Sequence, residues 1–116
     1  HNIAAAEAIS DWLSRQDAGD TVIMMGMLDN RDAVAFLKPL AKQITALAGV
    51  PIPGEHQAHL PATLRDAAKT CGIDAAYACD DFGDALAALL STCPAPKRVL
   101  ILGSLYLAGL ILENHG

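Results

Sequence analysis

The sequence predicts an α/β fold, a Rossmann-like three-layer sandwich in which a mainly parallel sheet carries helices on both faces. Three observations predict it. Short uninterrupted apolar runs alternate with segments of helical period, the loops between them are short, and the runs lack the in–out alternation of a half-exposed sheet. The 116 residues suffice for one domain and for a core without staples. Alanine fills 22 positions and aromatics only 4%, so the interior is expected to pack from small aliphatic groups.

Asn2 suits a helix cap, and Ala5, Ile9, Trp12 and Leu13 then form one helical stripe. Asp17 to Asp20 reads as a loop. Residues 21–25, Thr-Val-Ile-Met-Met, are an apolar run closed by Gly26, the pattern of a strand buried on both faces. A second helix carries Ala33, Leu37 and Leu40 and must end or kink at Pro39, which lacks an amide. Residues 43–48 are a weaker strand candidate, followed by an extended loop with Pro51, Pro53, Gly49 and Gly54. Pro61 suits the first turn of a third helix bearing Leu64, Ala67, Ala68 and Cys71, with Gly72 as its stop. A short strand over 73–78 follows. Asp80 or Asp81 then caps a helix whose apolar face is Phe82, Ala85, Leu86, Leu89 and Cys93. Residues 98–102 form the clearest strand, and the pattern ends in a helix running through Leu112. A doubly wound domain normally starts with a strand, so the first strand is expected upstream of His1, in a longer chain. Its absence would leave an apolar strand edge open.

Composition excludes several functions. The net charge of −5 and the lack of any basic run argue against nucleic acid, whose affinity rests on neutralising phosphates. The longest apolar stretch, Val99 to Leu112, is too short to span a bilayer, and the start has no cationic leader region. Cys71, Cys79 and Cys93 share no CxxC spacing and read as reduced core residues of a cytoplasmic protein. The phosphate-binding patterns GxxxxGK[ST] and GxGxxG are absent from the sequence.

Ligands of open α/β sheets bind beyond the carboxyl ends of the strands. That edge should gather His1 and Asn2, the segment Gly26 to Asp32, the loop Pro51 to His59, Asp80 with Asp81, and Gly103 to Tyr106. Ser104 would follow a buried strand and open a helix, a place that attracts a carboxylate or phosphate, although spacing alone favours a plain N-cap. His56 and His59 form an HxxH without further ligands, so no metal is expected there. Met24, Met25 and Met27 read as core packing.

Four segments in order resemble the C-terminal domain of the folylpolyglutamate synthase/dihydrofolate synthase family, relatives of the Mur ligases. His1-Asn2 before an Ala-rich helix is similar to the end of a D-x-A-H-N motif. Gly26-Met27-Leu28-Asp29-Asn30-Arg31-Asp32 resembles G-M-L-x-x-K-D, with Arg31 in place of the lysine. Pro51-Ile52-Pro53-Gly54-Glu55-His56 is similar to a proline-rich loop, and Gly103-Ser104-Leu105-Tyr106 to a G-S-[LF]-Y turn after a late strand. The resemblance spans essentially the whole chain.

It implies the C-terminal domain (residues 1–116) of an ATP-dependent amide ligase that adds L-glutamate to a folate or dihydropteroate carboxylate through an acyl phosphate. ATP and Mg2+ would be held mainly by the enzyme's own central ATPase domain, and the full-length protein would be a monomer. His1 would be catalytic. Asn2, Ser104 and Tyr106 would bind substrate, and Gly26, Asp29 and Asp32 would line the nucleotide side. The fragment alone would be inactive. The alternative is a stand-alone flavodoxin-like binding module. A phospho-acceptor domain is disfavoured because Met24-Met25-Gly26 offers no aspartate at the end of its strand.

Overall fold

A computed structural model describes residues 3–103 and the backbone of 111–113. Among these residues the order is α1 (Ile3–Ser14), β1 (Thr21–Met25), α2 (Ala33–Leu37), a 3-10 turn (Ala41–Gln43), β2 (Ala46–Gly49), α3 (Pro61–Thr70), β3 (Ala76–Ala78), α4 (Phe82–Thr92), β4 (Arg98–Leu102) and β5 (Ile111–Glu113). The strands lie in the order β3-β2-β1-β4-β5. The first four are mutually parallel, and β5 runs antiparallel to β4, with Leu100 opposite Ile111 and Arg98 opposite Glu113.

Period-two alternation along the strands builds two cores. Ile23, Met25, Leu47, Leu100 and Leu102 face Ala6, Leu13, Phe36, Leu37, Leu64 and Ala68 of α1, α2 and α3. Val22, Met24, Ala46, Ala48 and Val99 face Ala85 and Leu89 of α4. Helices therefore cover both faces, as the strands' continuous apolar character requires. Alanine packs both layers, Ala6, Ala33, Ala67, Ala68 and Ala76 in the first and Ala46, Ala48 and Ala85 in the second. Met24, Met25 and Met27 are buried packing residues.

The local signals act where expected. Asp32 caps α2 by accepting from the amide of Ala35 at 3.0 Å, and α2 stops before Pro39. Pro61 opens α3, and Gly72 leaves it with φ +94°. Gly49 permits α3 to approach β2, because a Cβ there would lie 2.7 Å from the Pro61 carbonyl oxygen.

Three expectations are corrected. The apolar run after Gly103 does not continue as a helix through Leu112, since Ile111–Glu113 is a strand. Apolar periodicity alone does not separate a buried helix from a strand, and pairing with β4 satisfies backbone groups that β4 would otherwise leave open. Strand β2 begins at Ala46 rather than at 43, because the 3-10 turn consumes Ala41–Gln43. Phe82, placed on the inner face of α4 by its spacing, is 52% exposed, because it stands directly after the cap and ahead of the turns that pack.

Candidate functional site at the carboxyl edge of the sheet

Connections β1–α2–β2 and β2–α3–β3 lie on one face, while α4, between β3 and β4, lies on the other. The strand order therefore reverses between β1 and β4, the place where open α/β sheets bind ligands. A cleft of about 480 Å³ opens there.

Each strand contributes its exit. From β1 comes Gly26, whose amide donates to the Leu102 carbonyl at 3.0 Å. A Cβ on Gly26 would lie 2.8 Å from Ile52 Cγ1 and 3.3 Å from the Val50 carbonyl oxygen, so the position needs a residue without one. From β2 come Val50 to Pro53, anchored by the Val50 amide on the Met25 carbonyl at 2.9 Å. Pro51 and Pro53 have no amide to offer a ligand. From β3 come Asp80 and Asp81. Asp81 caps α4, its carboxylate accepting from the Asp84 amide at 2.8 Å, and Phe82 follows on the cleft wall. From β4 come Ile101, Leu102 and Gly103.

These walls are largely apolar, and Asp80 and Asp81 are the charged residues among those that line the cleft. Such a surface fits a flat ring or an apolar partner surface. Two carboxylates and amide-poor prolines make a poor phosphate cradle.

Beside the cleft, two of the segments singled out in the sequence are stitched together. The Asp29 amide donates to the Gln57 carbonyl and the His59 amide to the Met27 carbonyl, both at 2.8 Å, with an antiparallel bridge between Leu28 and Ala58. His59 Nε2 donates to the Arg31 carbonyl at 2.7 Å, so Nε2 carries the proton. Among the described residues, no three His, Cys, Asp or Glu side chains stand together as a metal site.

The three cysteines are free thiols. Burial pushes the Cys79 thiol up, and the carboxylates of Asp84, Asp80 and Asp81 add to the effect. Burial raises Cys93 as well, helped by Asp20, and raises Cys71 despite the opposing charge of Lys38. None has the lowered pKa of a nucleophilic thiol.

Of the predicted site residues, Gly26 lines the cleft, whereas Asp29 and Asp32 do not. Asp29 is exposed on the stitched segment, and Asp32 serves α2 as its cap. His1, Asn2, Ser104 and Tyr106 lie outside the described residues. The sequence reading missed Phe82 and Ile101 as wall residues. An apolar residue directly after a cap aspartate at a strand's carboxyl end was the available signal for Phe82.

No family model matches the chain, and a search of curated proteins gives no match. Solved structures do match. A folylpolyglutamate synthase of Mycobacterium tuberculosis, complexed with ADP and AMPPCP, superposes with a TM-score of 0.73 over 89% of this chain at 20% identity. E. coli FolC in complex with DHPP and ADP superposes with a TM-score of 0.69 over 92% at 18% identity. The chain spans about a quarter of the length of either structure. At this identity the shared property is the fold, and it is the fold that the sequence resemblance implied.

Proposed function

We propose that this chain is the C-terminal domain of an ATP-dependent carboxylate–amine ligase of the folylpolyglutamate synthase type, which joins L-glutamate to a folate or dihydropteroate carboxylate. One observation carries the reading. Gly26, Pro51 to Pro53 and Gly103, which belong to segments resembling the family's motifs, line one cleft at the strand-order reversal, in a fold shared with folylpolyglutamate synthase structures. The proposed parent enzyme acts in the cytoplasm, in folate metabolism.

The described residues do not fit a nucleotide triphosphate or Mg2+ by themselves, because the cleft is apolar and acidic and no trio of metal-ligating side chains is present among them. ATP and Mg2+ belong instead to the proposed central domain. The part of this chain is positioning and exclusion of water. The apolar wall of Ile52, Phe82 and Ile101 would close against that domain, keeping water from an acyl phosphate while the glutamate amine attacks. In this proposal Ser104 and Tyr106 hold glutamate, Asn2 orients the turn, His1 acts at the reacting centre, and Gly26, Asp29 and Asp32 form the nucleotide side.

The test is ADP release by the protein extended upstream, with L-glutamate and a folate supplied together or singly. Release is expected only with both, and the 116-residue chain alone should give none. Ser104→Ala should raise KM for glutamate about tenfold, since a hydrogen bond to a charged group is worth roughly 1.5–3 kcal/mol. Absence of glutamate-dependent release overturns the proposal, and ligand binding by the short chain alone would then favour the stand-alone module.

A further inference from the structure

Charge is divided unevenly between the two edges of the sheet. Arg15, Lys38, Lys42, Lys69, Lys97 and Arg98 stand where helices end and strands begin, at the amino-terminal edge, and are six of the eight lysines and arginines. Asp29, Asp32, Glu55, Asp80, Asp81 and Asp84 stand where strands end and helices begin, at the carboxyl edge, and Arg31 is the one lysine or arginine among them. With histidines neutral, this edge carries a formal charge of −5, as much as the whole chain. His1, Asn2 and residues 104–110 and 114–116 contain no Lys, Arg, Asp or Glu, so they leave the balance unchanged. The ion pairs among the described residues, Arg15 with Asp11 and Arg65 with Asp66, relieve none of these six carboxylates.

The same edge holds the apolar cleft of about 480 Å³, and apolar surface continues beyond it. Phe82 is 52% exposed and Leu60 71%, each at the start of a helix, and Pro51 and Pro53 are exposed beside Ile52. An apolar centre inside a charged rim is the anatomy of a protein-binding surface. The single sign of the rim selects the occupant. A second copy would bring two faces of like charge together, and nucleic acid or an anionic membrane would be repelled.

We infer that the carboxyl edge docks onto a protein surface on which lysines or arginines surround a protruding apolar side chain. The apolar group enters between Ile52, Phe82 and Ile101, and the cations meet Asp80 and Asp84. The inference rests on the proposal that this wall closes against another protein surface, and it adds the chemistry of that surface. Attraction between the two faces steers their approach and makes closure sensitive to salt.

The experiment is an amide NMR titration of the 116-residue protein with a blocked hexapeptide carrying leucine and phenylalanine between two pairs of lysines. Saturable shifts are expected at Gly26, Gly83 and Ile101, with Gly19 and Thr21 at the opposite edge unmoved. Glycines in place of the two apolar residues should weaken binding about tenfold. Asp84→Lys, at an exposed position outside the α4 cap bond, should weaken it about fivefold, and Phe82→Ser by a similar factor. Absence of saturation, equal binding by the glycine peptide or by one with glutamates for lysines, or indifference to Asp84→Lys would each overturn the inference. Phenethylamine binding as tightly as the peptide would overturn it too, in favour of a small organic cation. Peptide binding without glutamate-dependent ADP release by the extended protein would keep this inference and lose the ligase reading, and the reverse result would lose this inference alone.

Discussion

The amide of Gly26 donates to the carbonyl of Leu102 across 3.0 Å, tying the end of β1 to the end of β4 where the strand order reverses. Ile52 packs against this junction, its Cγ1 2.8 Å from where a Cβ on Gly26 would stand. Gly26→Ala should therefore push Ile52 into the cleft. A side chain can rotate away, so the cost is expected at about 1–2 kcal/mol in a urea melt. In the extended protein the same change should lower turnover. A variant as stable and as active as the parent would show that the contact with Ile52 is unimportant.

Gly49 gives a sharper case. The obstacle to a Cβ there is the Pro61 carbonyl oxygen at 2.7 Å, backed by Leu64 Cβ at 2.9 Å. Backbone at the start of α3 cannot swing aside. Gly49→Ala should thus destabilise more than Gly26→Ala, by about 3 kcal/mol, because α3 must lift from the sheet. Equal denaturation midpoints for the two variants would contradict this ordering.

How much of this was legible in the sequence depends on how local each signal is. Residues Val22 to Met25 read as a doubly buried strand because both faces are covered, so no polar residue interrupts the run. Gly72 and Pro61 mark the ends of α3 through their own backbone geometry. Ile111 to Glu113 was misread because its strand character comes from pairing with β4, which no local period records. The cleft's position followed from topology. Its apolar character did not, because Ile52, Phe82 and Ile101 come from three separate strand exits. Arg98 is the extreme case: its partners Thr21 and Asp17 lie 77 and 81 residues away in sequence, and only the folded sheet joins them.

Asp32 and Asp81 each satisfy an otherwise open amide at the start of a helix. Replacing either by alanine should cost about 1 kcal/mol, and replacement by asparagine should cost little, since asparagine caps as well. Asp32→Asn also separates two roles. If Asp32 contributes charge at the nucleotide side of the proposed ligase, Asp32→Asn keeps the melting temperature and lowers ATP-dependent turnover. Unchanged turnover would leave Asp32 as a helix cap alone.

The cysteines make stability depend on alkaline pH with a definite sign. Burial raises the folded-state pKa of Cys79 and Cys93 above the ordinary thiol value, so the folded protein holds those protons more tightly than the unfolded chain. Their contribution is fully present below the unfolded thiol pKa of about 8.5 and is lost as pH rises through the folded values. Denaturation midpoints should therefore fall above about pH 8.5, and the fall should be smaller in the Cys79→Ala, Cys93→Ala double variant, measured against its own neutral-pH midpoint. Iodoacetamide should modify the half-buried Cys71 first, and the other two only as the protein opens. Rapid labelling of all three thiols in the folded protein, or identical alkaline profiles with and without Cys79 and Cys93, would show that their burial does not govern this behaviour.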